Sequence, residues 1–107
     1  MGLNKVLLMG NVGSDPEIRY PEQDRPIAYL SMATNVRRGP NNIEVTEWHR
    51  LVVPGENALF FERYVRKGSR LFVEGYMRTR EYTDKMQITR RITEVIVEQF
   101  ELLGRSV

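Results

Sequence analysis

Thr46-Glu47-Trp48-His49-Arg50-Leu51-Val52-Val53 holds the chain's single Trp and its single His. β-Branched and aromatic residues dominate the stretch, and Pro54-Gly55 ends it, so it is expected as a strand. Side chains alternate across a strand. Trp48, Arg50 and Val52 therefore share one face, and Glu47, His49, Leu51 and Val53 share the other. The second face turns apolar and is the core candidate. The first sets an indole two residues from a guanidinium, a pair suited to stacking on a base and holding a phosphate. The same pair suits a structural indole half-buried beneath an arginine. The segment alone leaves both readings open.

Upstream, Ile27–Asn35 alternates in the same way. Ala28, Leu30 and Met32 are the core candidates, with Ile27, Tyr29, Ser31 and Ala33 opposite. Asn4–Asn11 contains the nearly continuous apolar run Val6-Leu7-Leu8-Met9, which fits a strand buried on both faces. In a domain this small, two-sided burial points to a subunit partner, with Val6 and Leu8 at the contact. Gly10, Gly13, Ser14, Asp15 and Pro16 form a turn-rich connection to a short strand, Glu17-Ile18-Arg19-Tyr20. Arg37-Arg38-Gly39-Pro40-Asn41-Asn42 is a polar loop, either a solvated hairpin tip or an arm that clamps a phosphate backbone.

Downstream, the helix candidate runs from Asn57 to Arg66. Asn57 is the expected cap, and Ala58, Phe61, Tyr64 and Val65 form the apolar stripe. Lys67 and Gly68 close it. Leu71–Tyr82 alternates again, with Leu71, Val73, Gly75 and Met77 on one face. Phe72, Glu74, Tyr76, Arg78, Arg80 and Tyr82 lie on the other, an aromatic and cationic face that no core requires. Gly75 in mid-strand suggests a bulge or a close backbone approach. Thr83–Thr89 turns the chain, and Arg90–Phe100 is the last strand, with Thr93, Val95 and Val97 inward and Glu94 and Glu98 outward. Five long strands with one short helix between the third and fourth make an all-β chain with the layout of an OB-fold barrel. It is not the βαβ alternation of a nucleotide-binding sheet.

The 107 residues suit one domain, 1–107, with a single core. There is no Cys and only one His, so disulfides, thiolate catalysis and Cys- or His-based metal sites are excluded. No cofactor is expected. No apolar run reaches the ~18 residues needed to cross a bilayer, and no signal-peptide pattern opens the chain. The cytoplasm is the default compartment, or an organelle matrix. From Arg63 to Arg91 there are nine cations and three carboxylates, +6 in a chain of net charge +2, so the remainder carries −4. A basic field on a mildly charged chain suits a polyanion partner.

At this point the residues resemble a known family. Asn4-Lys5-Val6-Leu7-Leu8-Met9-Gly10-Asn11-Val12-Gly13-Ser14-Asp15-Pro16-Glu17-Ile18-Arg19-Tyr20 is similar to the opening of bacterial-type single-stranded DNA-binding proteins. So are Thr46-Glu47-Trp48-His49-Arg50, Tyr64-Val65-Arg66-Lys67-Gly68-Ser69 and Glu74-Gly75-Tyr76-Met77-Arg78-Thr79-Arg80. The resemblance implies an OB-fold, mostly homotetrameric, that wraps single-stranded DNA in replication, recombination and repair and is nucleoid-associated. By position, Trp48 and Tyr82 match aromatics that stack on bases. Lys67 and Arg80 match basic backbone contacts, and His49 matches a histidine of subunit contacts. Lys5, Arg38, Arg50 and Arg78 complete the expected phosphate contacts. Tyr29, Phe72 and Tyr76 join the expected oligomer contacts. They also suit a protein-interaction module, and an OB-fold protein of replication restart is the other alternative.

The chain departs from the family pattern at four places. Arg38 stands where an aromatic is usual and Pro54 where Phe is usual, while Glu56 and Glu81 stand at positions that are usually basic. Fewer rings and two reversed charges imply weaker binding or an altered DNA path. The family's acidic, Phe-ended tail, which recruits repair proteins, is expected to be absent after Val107. A catalytic role is not expected, because no nucleophile, base or ligand cage has the required spacing.

Overall fold

The computed structural model describes residues 1–105, so the expectation about the acidic tail lies outside the described residues. The elements are β1 (Val6–Val12), β2 (Glu17–Glu22), β3 (Arg25–Arg38), β4 (Ile43–Pro54), α1 (Glu56–Tyr64), β5 (Ser69–Thr83) and β6 (Thr89–Arg105). β1, β5, β6, β4 and β3 pair in that order, and β1 pairs again with β3 at Asn11↔Ala33 and Val12↔Met32. The pairing therefore closes a five-membered ring, with the short β2 added along β3. Not counting β2, the helix falls between the third and fourth ring strands. This is the expected OB-fold arrangement.

Two joints of the ring are short. One is the β1–β3 pairing. The other is the parallel contact of β4 with β6, limited to Leu51↔Val95 and Val52↔Ile96. The β3–β4 and β5–β6 hairpins, by contrast, stay paired along nearly their whole length, out to Arg38↔Ile43 and Thr83↔Thr89. Both hairpins thus run past the core as arms.

The core is built from the alternate side chains of each ring strand: Ala28, Leu30 and Met32, then Leu51 and Val53, Leu71 and Val73, Val95 and Val97. Helix α1 adds Ala58 and Phe61, and Val65 just beyond it is also buried. Phe61 is fully buried and meets Phe100 edge-on at 4.8 Å. The strand alternation read from the sequence is thus the alternation the ring uses. Gly75 lies at a register shift, where an added Cβ would collide with the carbonyl of Ile96, so the β5 bulge depends on glycine.

Several local expectations are corrected. Gly55, with φ 78°, occupies the N-cap of α1, and no side-chain cap bond is made. Asn57 already lies within the helix. Tyr64 is 52% exposed and packs on Phe60 at 4.7 Å, because Phe61 and Val65 already occupy the inward face. Val6 and Leu8 pack inward against the core, leaving Leu7 and Met9 exposed on β1, so the expected subunit contact at Val6 and Leu8 is not on the open face. Thr93 is exposed, since β6 has left the core there. Its hydroxyl lies 2.9 Å from that of Thr79 across the arm. Glu94 faces outward as expected, yet only 3% of it is exposed.

Candidate nucleic-acid interface

The outer faces of the two arms enclose a groove of about 530 Å³. Trp48 and Arg50 enter it from β4, Arg80 from β5, and Ile92 and Glu94 from β6. Ser14, Tyr29 and Ser31 line the β3 side. The groove exists because β4 and β6 touch at only two register pairs before their hairpins separate. A smaller hollow of about 250 Å³, bounded by Met77, Thr93 and Val95, also touches Trp48, Arg50 and Glu94.

Trp48 is 63% exposed, so the indole is not half-buried beneath an arginine but lies on the surface of the groove. Register places Trp48 beside Ala33 and Arg50 beside Ser31. The indole rests on Gly13, where an added Cβ would overlap Cζ3 and come within 2.8 Å of Cη2. Ser31 is itself held by Ser14, whose hydroxyl lies 3.2 Å from its own. His49 turns to the opposite face, and its Nε2 lies 2.9 Å from the Thr34 hydroxyl.

The groove's charges are linked. Arg78 and Arg80 both donate to Oε1 of Glu94, at 2.8 and 2.9 Å. Burial pushes the Glu94 carboxyl up, but the bonds from Arg78 and then Arg80 outweigh it and hold the group below its ordinary value. Arg50 is exposed and takes part in none of the ion pairs among the described residues. Tyr82 lies further along the same face of β5, 43% exposed and opposite Arg90. The tip of that arm is stiffened by Asp84, which accepts from Arg90 and from the Met86 and Ile88 amides. The Arg90 bond, followed by the Ile88 amide, lowers the Asp84 carboxyl.

Of the expected site residues, Trp48, Arg50 and Arg80 meet in one groove. Arg78 joins them through Glu94, and Tyr82 extends the line. Lys5, Lys67 and Arg38 lie apart. Lys5 pairs with Glu74 at 3.5 Å beside β1. Lys67 follows α1, where its amide donates to Asp15. Arg38 ends β3 at the tip of the first arm. Phe72 and Tyr76 are half-buried on β5, whereas Tyr29 lies in the groove wall with the Arg19 guanidinium 5.4 Å from its ring centre. Sequence reasoning missed Gly13 and Glu94. Glu94 carried a usable signal, since an outward carboxylate on one strand faced outward arginines on the next. Nothing in the pattern marked Gly13.

Comparison with known proteins covers nearly the whole chain. The model described as "Single-strand binding protein family" matches residues 3–103. A single-stranded DNA-binding protein of Bacteroides thetaiotaomicron is 40% identical over 109 residues, covering 97% of this chain and 68% of its own length. Single-stranded DNA-binding protein 1 of Xylella fastidiosa is 39% identical, over 97% of this chain and 79% of its own length. The single-stranded DNA-binding protein of Rhizobium meliloti is 44% identical over 92% of this chain and 59% of its own length. Among solved structures, a Plasmodium falciparum SSB in complex with ssDNA superposes with a TM-score of 0.85 at 33% identity, covering 97% of each chain. With an OB-fold ring and a family match spanning nearly every residue, this chain belongs to the single-strand binding protein family.

Proposed function

We propose that the chain binds single-stranded DNA without reading its sequence, holding and protecting it in replication, recombination and repair. The observation that carries this reading is the exposed Trp48 indole in a groove it shares with Arg50 and Arg80. Unpaired strands present base faces, and an aromatic ring stacks on any of them for about 1–3 kcal/mol each. Trp48 and Tyr82 supply two such platforms along one path. Arg50, Arg78 and Arg80 meet phosphates beside them, with Lys5, Lys67 and Arg38 extending the contact beyond the groove. The role is binding rather than catalysis.

The phosphate contribution is reduced by Glu94. Leaving aside Arg38 at the arm tip, the five contacts from Lys5, Arg50, Lys67, Arg78 and Arg80 correspond to a slope of log K against log salt of about −3.5 at ~0.7 per phosphate. Because Arg78 and Arg80 share one carboxylate, the pair counts as a single net charge and the slope is nearer about −2.8.

The working form we propose is a homotetramer, as the resemblance implies. Residues Val6 to Gly10 of β1 pair with β5 on one side only, and Leu7 and Met9 are exposed there. An unpaired, apolar strand edge favours a second copy. Native mass measurement checks this separately from binding.

The deciding experiment for binding is titration with poly-dT at two salt concentrations, read by Trp48 fluorescence and by the anisotropy of a labelled oligo-dT. Quenching with a salt-dependent affinity is expected. Unchanged fluorescence together with unchanged anisotropy would reject the reading.

A further inference from the structure

We propose that Glu94 is a positioning residue for DNA, holding the Arg78 and Arg80 guanidiniums as a fixed pair on the wall of the groove. The inference rests on the binding role proposed above and assigns a part in it to a carboxylate, which by charge alone opposes a polyanion. Glu94 is the one buried charged side chain among the described residues. Burying a carboxylate is costly, and a well-packed apolar residue is often no worse for stability. The position is outward-facing, on the groove, and within hydrogen-bond distance of two arginines of the neighbouring strand.

Register explains how three side chains meet. Arg78 lies directly opposite Glu94, and Arg80 lies opposite Ile92, one step along the same face. Arg78 donates through Nη2 and Arg80 through Nε, both to the same oxygen. Each guanidinium has five N–H donors, so most remain for a phosphate. Both side chains are nearly half exposed, at 47% and 45%, while Glu94's is 2% exposed. A buried anchor with two half-open forks is therefore pre-organised. Without it, two neighbouring cations repel and spread over rotamers, and that freedom is lost again when DNA binds. Trp48 and Arg50 face the same carboxylate from β4 across the groove, so the anchored pair has a fixed relation to the stacking ring.

The test compares Glu94→Gln with Glu94→Leu in the whole chain, by anisotropy of a labelled oligo-dT, with circular dichroism and thermal unfolding of each variant. Both variants carry the same charge, so a role through charge alone gives them equal affinity. A positioning role separates them, because Gln keeps an acceptor for the guanidiniums and Leu does not. The expected result is E94L binding about tenfold more weakly than folded E94Q, the size of one charge-assisted hydrogen bond. Equal affinities, or tighter binding by E94L, overturn the inference, as does a difference confined to thermal stability. Should E94L fail to fold, Arg78→Lys and Arg80→Lys keep the test open. Each retains its charge but loses the planar fork, and each is expected to weaken binding by about threefold or more. Wild-type affinity in both lysine variants overturns the inference. Failure of the wild-type chain to bind oligo-dT rejects the parent reading and this one with it, whereas wild-type binding with matched variants rejects this one alone.

Discussion

The Trp48 indole lies against the backbone of Gly13, with room for nothing larger than hydrogen between them. Gly13→Ala places a Cβ within 2.8 Å of Cη2 and 3.1 Å of the Ser31 hydroxyl, so the ring must tilt away. The expected result is a shift in Trp48 emission, altered quenching by acrylamide, and oligo-dT affinity reduced by about tenfold. The fold is expected to lose no more than about 1–3 kcal/mol, the usual range for overpacking. Unaltered emission with unaltered affinity would show that the ring's seat does not matter.

Trp48→Ala removes the proposed stacking platform itself. Because the side chain is 63% exposed, thermal stability is expected to change little, while binding weakens by about 1–3 kcal/mol. Trp48→Phe keeps a ring and is expected to fall between the two. Tyr82→Ala, read by anisotropy, is expected to lose less than Trp48→Ala, since it stands further out on the arm. Equal affinity of wild type and Trp48→Ala for oligo-dT would remove the indole from the binding surface.

Acidification is expected to unload the Arg78–Glu94–Arg80 cluster. The folded Glu94 carboxyl titrates below its ordinary value of 4.5, so the folded state binds fewer protons than the unfolded one. Its contribution to stability is therefore complete above about pH 4.5 and is lost as pH falls through the lower folded value. Asp84 is lowered as well and titrates in the same acid region. Comparing wild type with E94Q isolates the Glu94 share: the urea midpoint of wild type should fall more steeply below pH 4.5 than that of E94Q. Parallel curves would count against the assigned linkage.

Phe61→Ala tests the helix as part of the core. Phe61 is fully buried and touches Phe100, so its truncation is expected to cost about 3–5 kcal/mol in denaturant unfolding. Tyr64→Ala, on the exposed side of the same helix, is expected to cost far less.

The ring was legible in the sequence because its core side chains repeat every second residue. Ala28, Leu30 and Met32, or Leu71 and Val73, mark an inward face without reference to any neighbour. The second arm was legible to its tip, since the strand read as ending at Tyr82 ends at Thr83. The first arm was not: beyond Asn35 its strands run on to Arg38 and Ile43, held by backbone pairing and by small polar contacts such as Thr46 to Asn35. The helix cap was misassigned because Asn57 has the right chemistry, whereas Gly55 starts the helix through its backbone angles. In the groove, Trp48 and Arg50 followed from alternation on one strand. The burial of Glu94 did not, since it depends on side chains 14 and 16 residues distant that meet it only once two strands are in register.

The short β4–β6 joint has a mechanical consequence. Each long hairpin is continuous within itself, so the places where the ring parts most readily are the two-pair contacts at β4–β6 and β1–β3. A DNA strand lying over Trp48 and Arg80 touches both hairpins at once, acting as a clasp across one of those weak lines. The amide hydrogens that bridge β4 and β6 at Leu51–Val52 and Val95–Ile96 should then exchange more slowly with DNA present, while those bonded within either hairpin change least.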